Sequence, residues 1–188
     1  MRFIAADRKR VVLADIVSGV MSSMTELKTA RLLLKHLDDR DKFRLVELLS
    51  VYEVAQNLTR VPHPYTLSDA EEWLARVEEN PFNLSIFLND KLIGGVSLSD
   101  RRDNSYELGY WIGADYWGQG FATETASGLL RVAHSQIHSL VVVANVYKEN
   151  VVSAQVLRKL GFTATGEGEV FSLSRQAQVP TFTYRYEA

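Results

Sequence analysis

The chain has no cysteine among its 188 residues. That excludes disulfides, thiolate-bound zinc and any covalent intermediate carried on a cysteine, and it is compatible with the cytoplasm. No block of lysine or arginine stands out, and a formal net charge of −2 leaves no electrostatic footprint for nucleic acid. No apolar stretch is long enough to span a membrane. Val11 to Met21 follows Arg8, Lys9 and Arg10 in the manner of a signal peptide, but Asp15 interrupts the run and no small-residue cleavage site follows. A Gly-Lys-Ser/Thr phosphate loop is missing too. What remains, 46% hydrophobic and 23% charged, has the composition and length of one domain with a substantial core. The domain pattern starts near Leu27. Residues 1–26 read as an N-terminal extension, disordered or helical, and residues 27–188 as the domain.

The most informative stretch is Glu107 to Ala126, ELGYWIGADYWGQGFATETA. Leu108, Tyr110 and Ile112 alternate with Glu107, Gly109 and Trp111, the period of a strand. Gly118 and Gly120 punctuate a turn, and Ala122, Ala126, Leu129, Leu130 and Ala133 then recur at helical spacing. A strand–turn–helix of this kind aims free backbone N–H groups and the positive end of a helix dipole at one point, a site suited to phosphate.

Other elements fall around it. Arg31 to His36 is a first strand. Asp38 to Asp41 starts a helix whose face is marked by Phe43, Leu45, Val46 and Leu49. Pro62 and Pro64 stiffen the loop of residues 57–66. Ser68 with Glu71 makes a capping-box pattern for a helix running to about Glu79, with Trp73, Leu74 and Val77 as its buried face. Asn89-Asp90 is a two-residue hairpin turn between strands Leu84–Leu88 and Lys91–Leu98. Leu140 to Val146 is a buried strand. Asn150 caps a helix with Val152, Val156, Leu157 and Leu160 on one side, and Gly161 ends it. Strands near Thr163–Glu169 and Thr181–Tyr186 close the chain. This interleaving predicts a mixed α/β (α+β) sheet in one domain.

A dinucleotide-binding turn fits the glycines poorly: Thr123 fills the third small position, and the following strand offers Asn145 in place of an acid. WGQGFATE instead resembles the acyl-CoA loop of the GNAT superfamily, Arg/Gln-x-x-Gly-x-Gly/Ala, with Gly118, Gly120 and Ala122 at small positions and Trp117 at the Arg/Gln position. NVVSAQVLRKLGF, residues 150–162, resembles the second half of the same signature. ELGYWIG, VPHPYT and KLIGGVSL resemble the branch of the RimJ/RimL-like ribosomal-protein N-terminal acetyltransferases. The resemblance spans roughly residues 27–186. It implies the GNAT acyl-CoA N-acyltransferase fold, a mostly antiparallel splayed sheet flanked by helices, acting on acetyl-CoA as co-substrate with no metal.

The same resemblance implies the roles. Backbone groups of Tyr110, Trp111 and Ile112 pair with pantetheine like an added strand. The N–H groups of the Gly118, Gln119, Gly120, Phe121, Ala122 and Thr123 loop take the pyrophosphate, and Trp117 lines the CoA groove or belongs to the core. Asn150 touches the cofactor or serves only as the helix cap, Asn145, polar within an apolar strand, hydrogen-bonds the cofactor or the splayed sheet, and His63 and Tyr65 lie at the acceptor entrance. Glu107 is the candidate base, against the alternative of an exposed carboxylate or an ion pair. Ser153 is the candidate acid for the leaving thiolate, because Leu157 stands where many relatives have tyrosine; ordinary helix-start hydrogen bonding is its alternative. The expected acceptor is a protein N-terminal α-amine, with a small amine or an antibiotic as the alternative and a non-catalytic acyl-CoA-binding or sensing module as the competing class; no nucleic-acid or membrane partner is expected, and a homodimer is compatible. An α-amine near pKa ~8 is about one-tenth neutral at pH 7, whereas lysine near ~10.4 is neutral only about once in 2,500.

Overall fold

The computed structural model describes residues 26–77, 80–101 and 103–187. In chain order the elements are β1 (Glu26–Lys28), β2 (Leu33–Lys35), a 3-10 turn (Asp39–Asp41), α1 (Lys42–Leu49), α2 (Tyr52–Ala55), α3 (Leu67–Val77), β3 (Asn83–Leu88), β4 (Lys91–Asp100) and β5 (Tyr106–Ile112). There follow a second 3-10 turn (Ala114–Tyr116), α4 (Phe121–Gln136), β6 (Val141–Tyr147), α5 (Val151–Lys159), β7 (Thr163–Ser172) and β8 (Ala177–Glu187). The strands form one sheet in the order β1-β2-β3-β4-β5-β6-β8-β7. Every neighbouring pair is antiparallel except β5 and β6, which are joined by α4 and run parallel. This is the mixed, mostly antiparallel sheet expected from the sequence. The N-terminal extension falls outside the described residues, apart from Glu26, which already lies in β1.

Period-two alternation sends the strands' side chains to two cores. Ile86 and Ile93 join Leu129 of α4 and Leu157 of α5 in one cluster. Their chain neighbours Phe87 and Leu92 join Leu45 and Leu48 of α1, Val54 of α2 and Ala70 of α3 in the other. Each fully buried leucine or isoleucine contributes on the order of 1.5–3 kcal/mol relative to exposure. The sheet is therefore covered by α4 and α5 on one face and by α1–α3 on the other. The Asn89-Asp90 turn takes positive φ at both residues, 49° and 62°, as a two-residue hairpin loop requires.

Three sequence expectations need correction. Phe43 is 67% exposed, and the buried stripe of α1 is Leu45, Leu48 and Leu49; residues 43 and 45 lie about 200° apart on a helix, so they cannot share a face. Trp73 is 39% exposed, while Ala70, a small residue against which α1 packs closely, is fully buried. The cap of α3 comes two residues earlier than Ser68. The Asp69 carboxylate accepts from the Thr66 N–H at 2.7 Å, and the Thr66 hydroxyl oxygen accepts from the Asp69 N–H at 3.3 Å. Thr66 and Asp69 thus satisfy the same reciprocal rule as the predicted pair, at the true helix start.

Candidate active site

β5 is paired with β4 along its whole length, from Tyr106 to Ile112. With β6 it pairs only through Tyr106↔Val142 and Glu107↔Val143. Beyond Glu107 the two strands part, and a wedge opens between the last residues of β5 and those of β6. Backbone N–H and C=O groups along such an edge are available to an extended ligand.

At the wide end of the wedge β5 leads into the glycine turn. Gly118 and Gly120 have φ of 74° and 80°, the left-handed region that costs a residue with a Cβ roughly 1 kcal/mol or more. A Cβ on Gly118 would meet nothing within 4 Å, so the turn faces open space. The first intrahelical bond of α4 runs from the Glu124 N–H to the Gly120 carbonyl at 3.0 Å. The N–H groups of Phe121, Ala122 and Thr123 precede it, and no side chain caps this helix. The other long helix beside the wedge, α5, has its Asn150 cap in place. An uncapped N-terminus carrying the positive dipole end is suited to an anion.

The turn is pinned from outside. The indole of Trp117, half exposed, donates to the Ile112 carbonyl at 2.7 Å. Arg31 donates to the Gln119 carbonyl at 3.0 Å and to Glu124 at 2.7 Å, and its guanidinium lies 4.4 Å from the centre of the buried Phe121 ring. Burial opposes ionisation of Glu124. Hydrogen bonds from the Thr29 hydroxyl and from the Arg31 N–H and guanidinium outweigh it and hold the carboxyl below its ordinary value.

Glu107 and Tyr110 sit at odd and even positions of β5 and project to opposite faces of the sheet. On the first face, the Asn145 side-chain amide donates to Glu107 at 3.0 Å, and Thr183 of β8 donates to Asn145 at 3.0 Å. Arg60 lies 3.9 Å from the second oxygen of Glu107, with its own side chain largely exposed. On the other face the Tyr110 hydroxyl crosses the wedge to α5, 2.9 Å from Ser153 Oγ and 3.2 Å from the Ser153 carbonyl, to which it donates. Burial pushes the Tyr110 phenol up to about 12, with the Ser153 contact acting in the opposite sense. Asn150 accepts from the Ser153 N–H at 2.9 Å and donates to Asn57 at 3.0 Å.

The remaining sequence candidates are dispersed. The Trp111 side chain packs on Gly95, where a Cβ would lie 2.6 Å from its indole nitrogen, so only its backbone faces the strand edge. Ile112 is buried. His63 is exposed and meets the Tyr52 ring edge-on at 5.0 Å, whereas Tyr65 is 7% exposed within the second core. Sequence reasoning missed the Tyr110 hydroxyl, for which only backbone contacts were foreseen, although the alternation of β5 placed it on the α4 face. Arg60 and Thr183 gave no signal, being 47 and 76 residues from Glu107.

With this geometry in view, the comparison with known proteins is decisive. Residues 31–163 match the family model described as an acetyltransferase (GNAT) domain. The chain belongs to the GNAT family of N-acetyltransferases. An uncharacterised N-acetyltransferase, p20, of Bacillus licheniformis is 27% identical in an alignment of 152 residues that covers 76% of this chain and 85% of that protein. The GNAT fold recurs in the Microcin C7 self-immunity acetyltransferase MccE, solved with acetyl-CoA and AMP, at a TM-score of 0.74 and 18% identity over 90% of this chain and 99% of that one. It recurs also in RimL, a ribosomal L7/L12 α-N-protein acetyltransferase solved with coenzyme A, at a TM-score of 0.70 and 19% identity, covering 86% and 97%. Among the described residues no helix is long and apolar enough to cross a membrane.

Proposed function

We propose that this GNAT protein moves the acetyl group of acetyl-CoA onto a primary amine by direct attack in a ternary complex. The observation that carries the reading is the parting of β5 from β6 immediately before an uncapped helix N-terminus. The wedge would take pantetheine as an added strand. The N–H groups around Gly120 to Thr123 would take the pyrophosphate, with Trp117 and Gln119 shaping the loop. MccE and RimL were solved with acetyl-CoA and coenzyme A respectively, which supports the same ligand here. With no cysteine available, no acetyl-cysteine relay can form.

Glu107 and Ser153 would flank the thioester from opposite sides of the sheet. Glu107, oriented by Asn145, would accept the amine's proton through water. A backbone N–H of β5 would polarise the carbonyl. Ser153 would protonate the leaving thiolate. The acceptor we favour is a protein N-terminal α-amine, with the exposed His63 at the loop by which it enters; a small amine is the alternative within the same chemistry.

Thiol release from acetyl-CoA, followed across a panel of N-terminal peptides, small amines and lysine peptides, tests the reading. Turnover is expected, with kcat/KM down by about 10²-fold in Glu107→Gln. The loss should be larger for lysine acceptors, which depend more on assisted deprotonation. Binding of acetyl-CoA without turnover on any acceptor would make the chain a sensing module, and no binding would overturn the proposal.

A further inference from the structure

Two hydroxyls, with one proton each, meet across the wedge. Tyr110 Oη lies 2.9 Å from Ser153 Oγ and 3.2 Å from the Ser153 carbonyl oxygen. If the phenol donates to the carbonyl and Ser153 donates to the phenol, both protons are committed and the serine has none for a substrate. If the phenol donates to Ser153 Oγ instead, the serine proton is released to point into the wedge, and the new bond stabilises negative charge developing on Oγ. Both arrangements keep the 2.9 Å contact, and the second gives up only the longer, 3.2 Å one.

The Ser153 backbone is held meanwhile by the Asn150 cap, so turning the hydroxyls requires no movement of α5. The phenol itself, pushed up to about 12 by its burial, stays protonated across the neutral range and keeps a proton to donate.

Resting on the acetyl-transfer reading, we propose that Tyr110 is a positioning residue that frees and polarises the Ser153 hydroxyl for the leaving thiolate. As the C–S bond breaks, its electron pair leaves on sulfur and sulfur takes the Ser153 proton. The Tyr110 hydrogen bond shifts toward Oγ. The proton removed from the amine returns through solvent and restores the pair. Atoms and charge balance with no further reactant. The substrate-contacting group is Ser153, and Tyr110 acts through it.

Single-turnover acetyl transfer in Tyr110→Phe, Ser153→Ala and the double variant tests this. Tyr110→Phe should lower the transfer rate by about 10–100-fold, with acetyl-CoA affinity within about threefold of the parent. In the Ser153→Ala background the same change should cost almost nothing. Equal losses in both backgrounds, or a loss confined to affinity, would overturn the proposal.

A second measurement needs no acceptor, and retained coenzyme A binding shows that the variant is folded. The ultraviolet absorbance of bound coenzyme A's thiolate is titrated with pH. The thiol should ionise at higher pH in Tyr110→Phe than in the parent, and identical titrations would count against the proposal. If the parent acetylates amines yet shows none of these differences, this inference alone fails. If the parent binds no coenzyme A, the acetyl-transfer reading fails and takes this one with it.

Discussion

Glu124 shows how one carboxylate can fix the shape of a glycine turn at a distance from the glycines. It sits in the first turn of α4, where a negative charge is favourable to the helix dipole, and it gathers the Thr29 hydroxyl and the Arg31 N–H and guanidinium. Arg31 in turn holds the Gln119 carbonyl, fixing the turn that contains the two left-handed glycines. Because its folded pKa lies below the ordinary value, Glu124 contributes stability that is present in full above the unfolded carboxyl pKa. That stability is lost as pH falls through the folded value. Glu124→Gln should therefore lower thermal stability near neutral pH, with the gap to the parent starting to close near pH 4 and gone only below the folded value. Melting temperatures measured across that range check it. A constant offset at every pH would show that ionisation plays no part.

At the scale of elements, β4 and β5 come unusually close at Gly94. A Cβ there would lie 2.3 Å from the Trp111 carbonyl oxygen, a backbone atom that can yield only if the strands separate. Gly94→Ala should cost about 2–3 kcal/mol, a fall of roughly 4–12 °C in melting temperature. Gly166→Ala on edge strand β7, where a Cβ meets nothing within 4 Å, should change stability by less than about 0.5 kcal/mol. Thermal unfolding of the two variants side by side decides the matter, and equal effects would refute the close-approach account. The same contrast explains what the sequence could convey. The glycine turn and the Asn150 cap were readable because φ > 0 and capping are local demands that select particular residues. The hairpin at Asn89-Asp90 was readable for the same reason. The faces of α1 and α3 were partly misread, because helical spacing alone cannot say which apolar residues tertiary packing will cover. The alliance of Tyr110 with Ser153 spans 43 residues and joins two elements whose meeting only the folded sheet dictates.

In the whole molecule, parting β5 from β6 opens a wedge through the middle of the sheet, and something must hold its two halves in register. The β7–β8 hairpin does so from the far side. Leu173 donates to the Thr59 carbonyl at 3.0 Å, Ser174 to the Ala55 carbonyl at 2.9 Å, and Arg175 to the Gln56 carbonyl at 2.7 Å. Arg175 also pairs with Glu149, and its guanidinium lies 5.0 Å from the centre of the Tyr147 ring. The loop after α2, which carries Asn57 and Arg60 toward Asn150 and Glu107, is thereby fastened to the half of the sheet that carries α5. A largely buried guanidinium bond to a carbonyl is worth about 1.5–3 kcal/mol. Arg175→Ala should then lower the melting temperature by roughly 3–12 °C. Lysine should restore only part of that, since it lacks the planar fork that bonds, pairs and stacks at once. On the acetyl-transfer reading, the loop lies on the acceptor's side of Glu107 and the pyrophosphate turn lies beyond Ile112. Arg175→Ala should accordingly raise KM for the amine several-fold while leaving acetyl-CoA affinity close to the parent's. Calorimetric titration with acetyl-CoA, set beside acceptor kinetics, separates the two. Equal weakening for both substrates would mean that the clasp sets the width of the whole wedge and not the acceptor side alone.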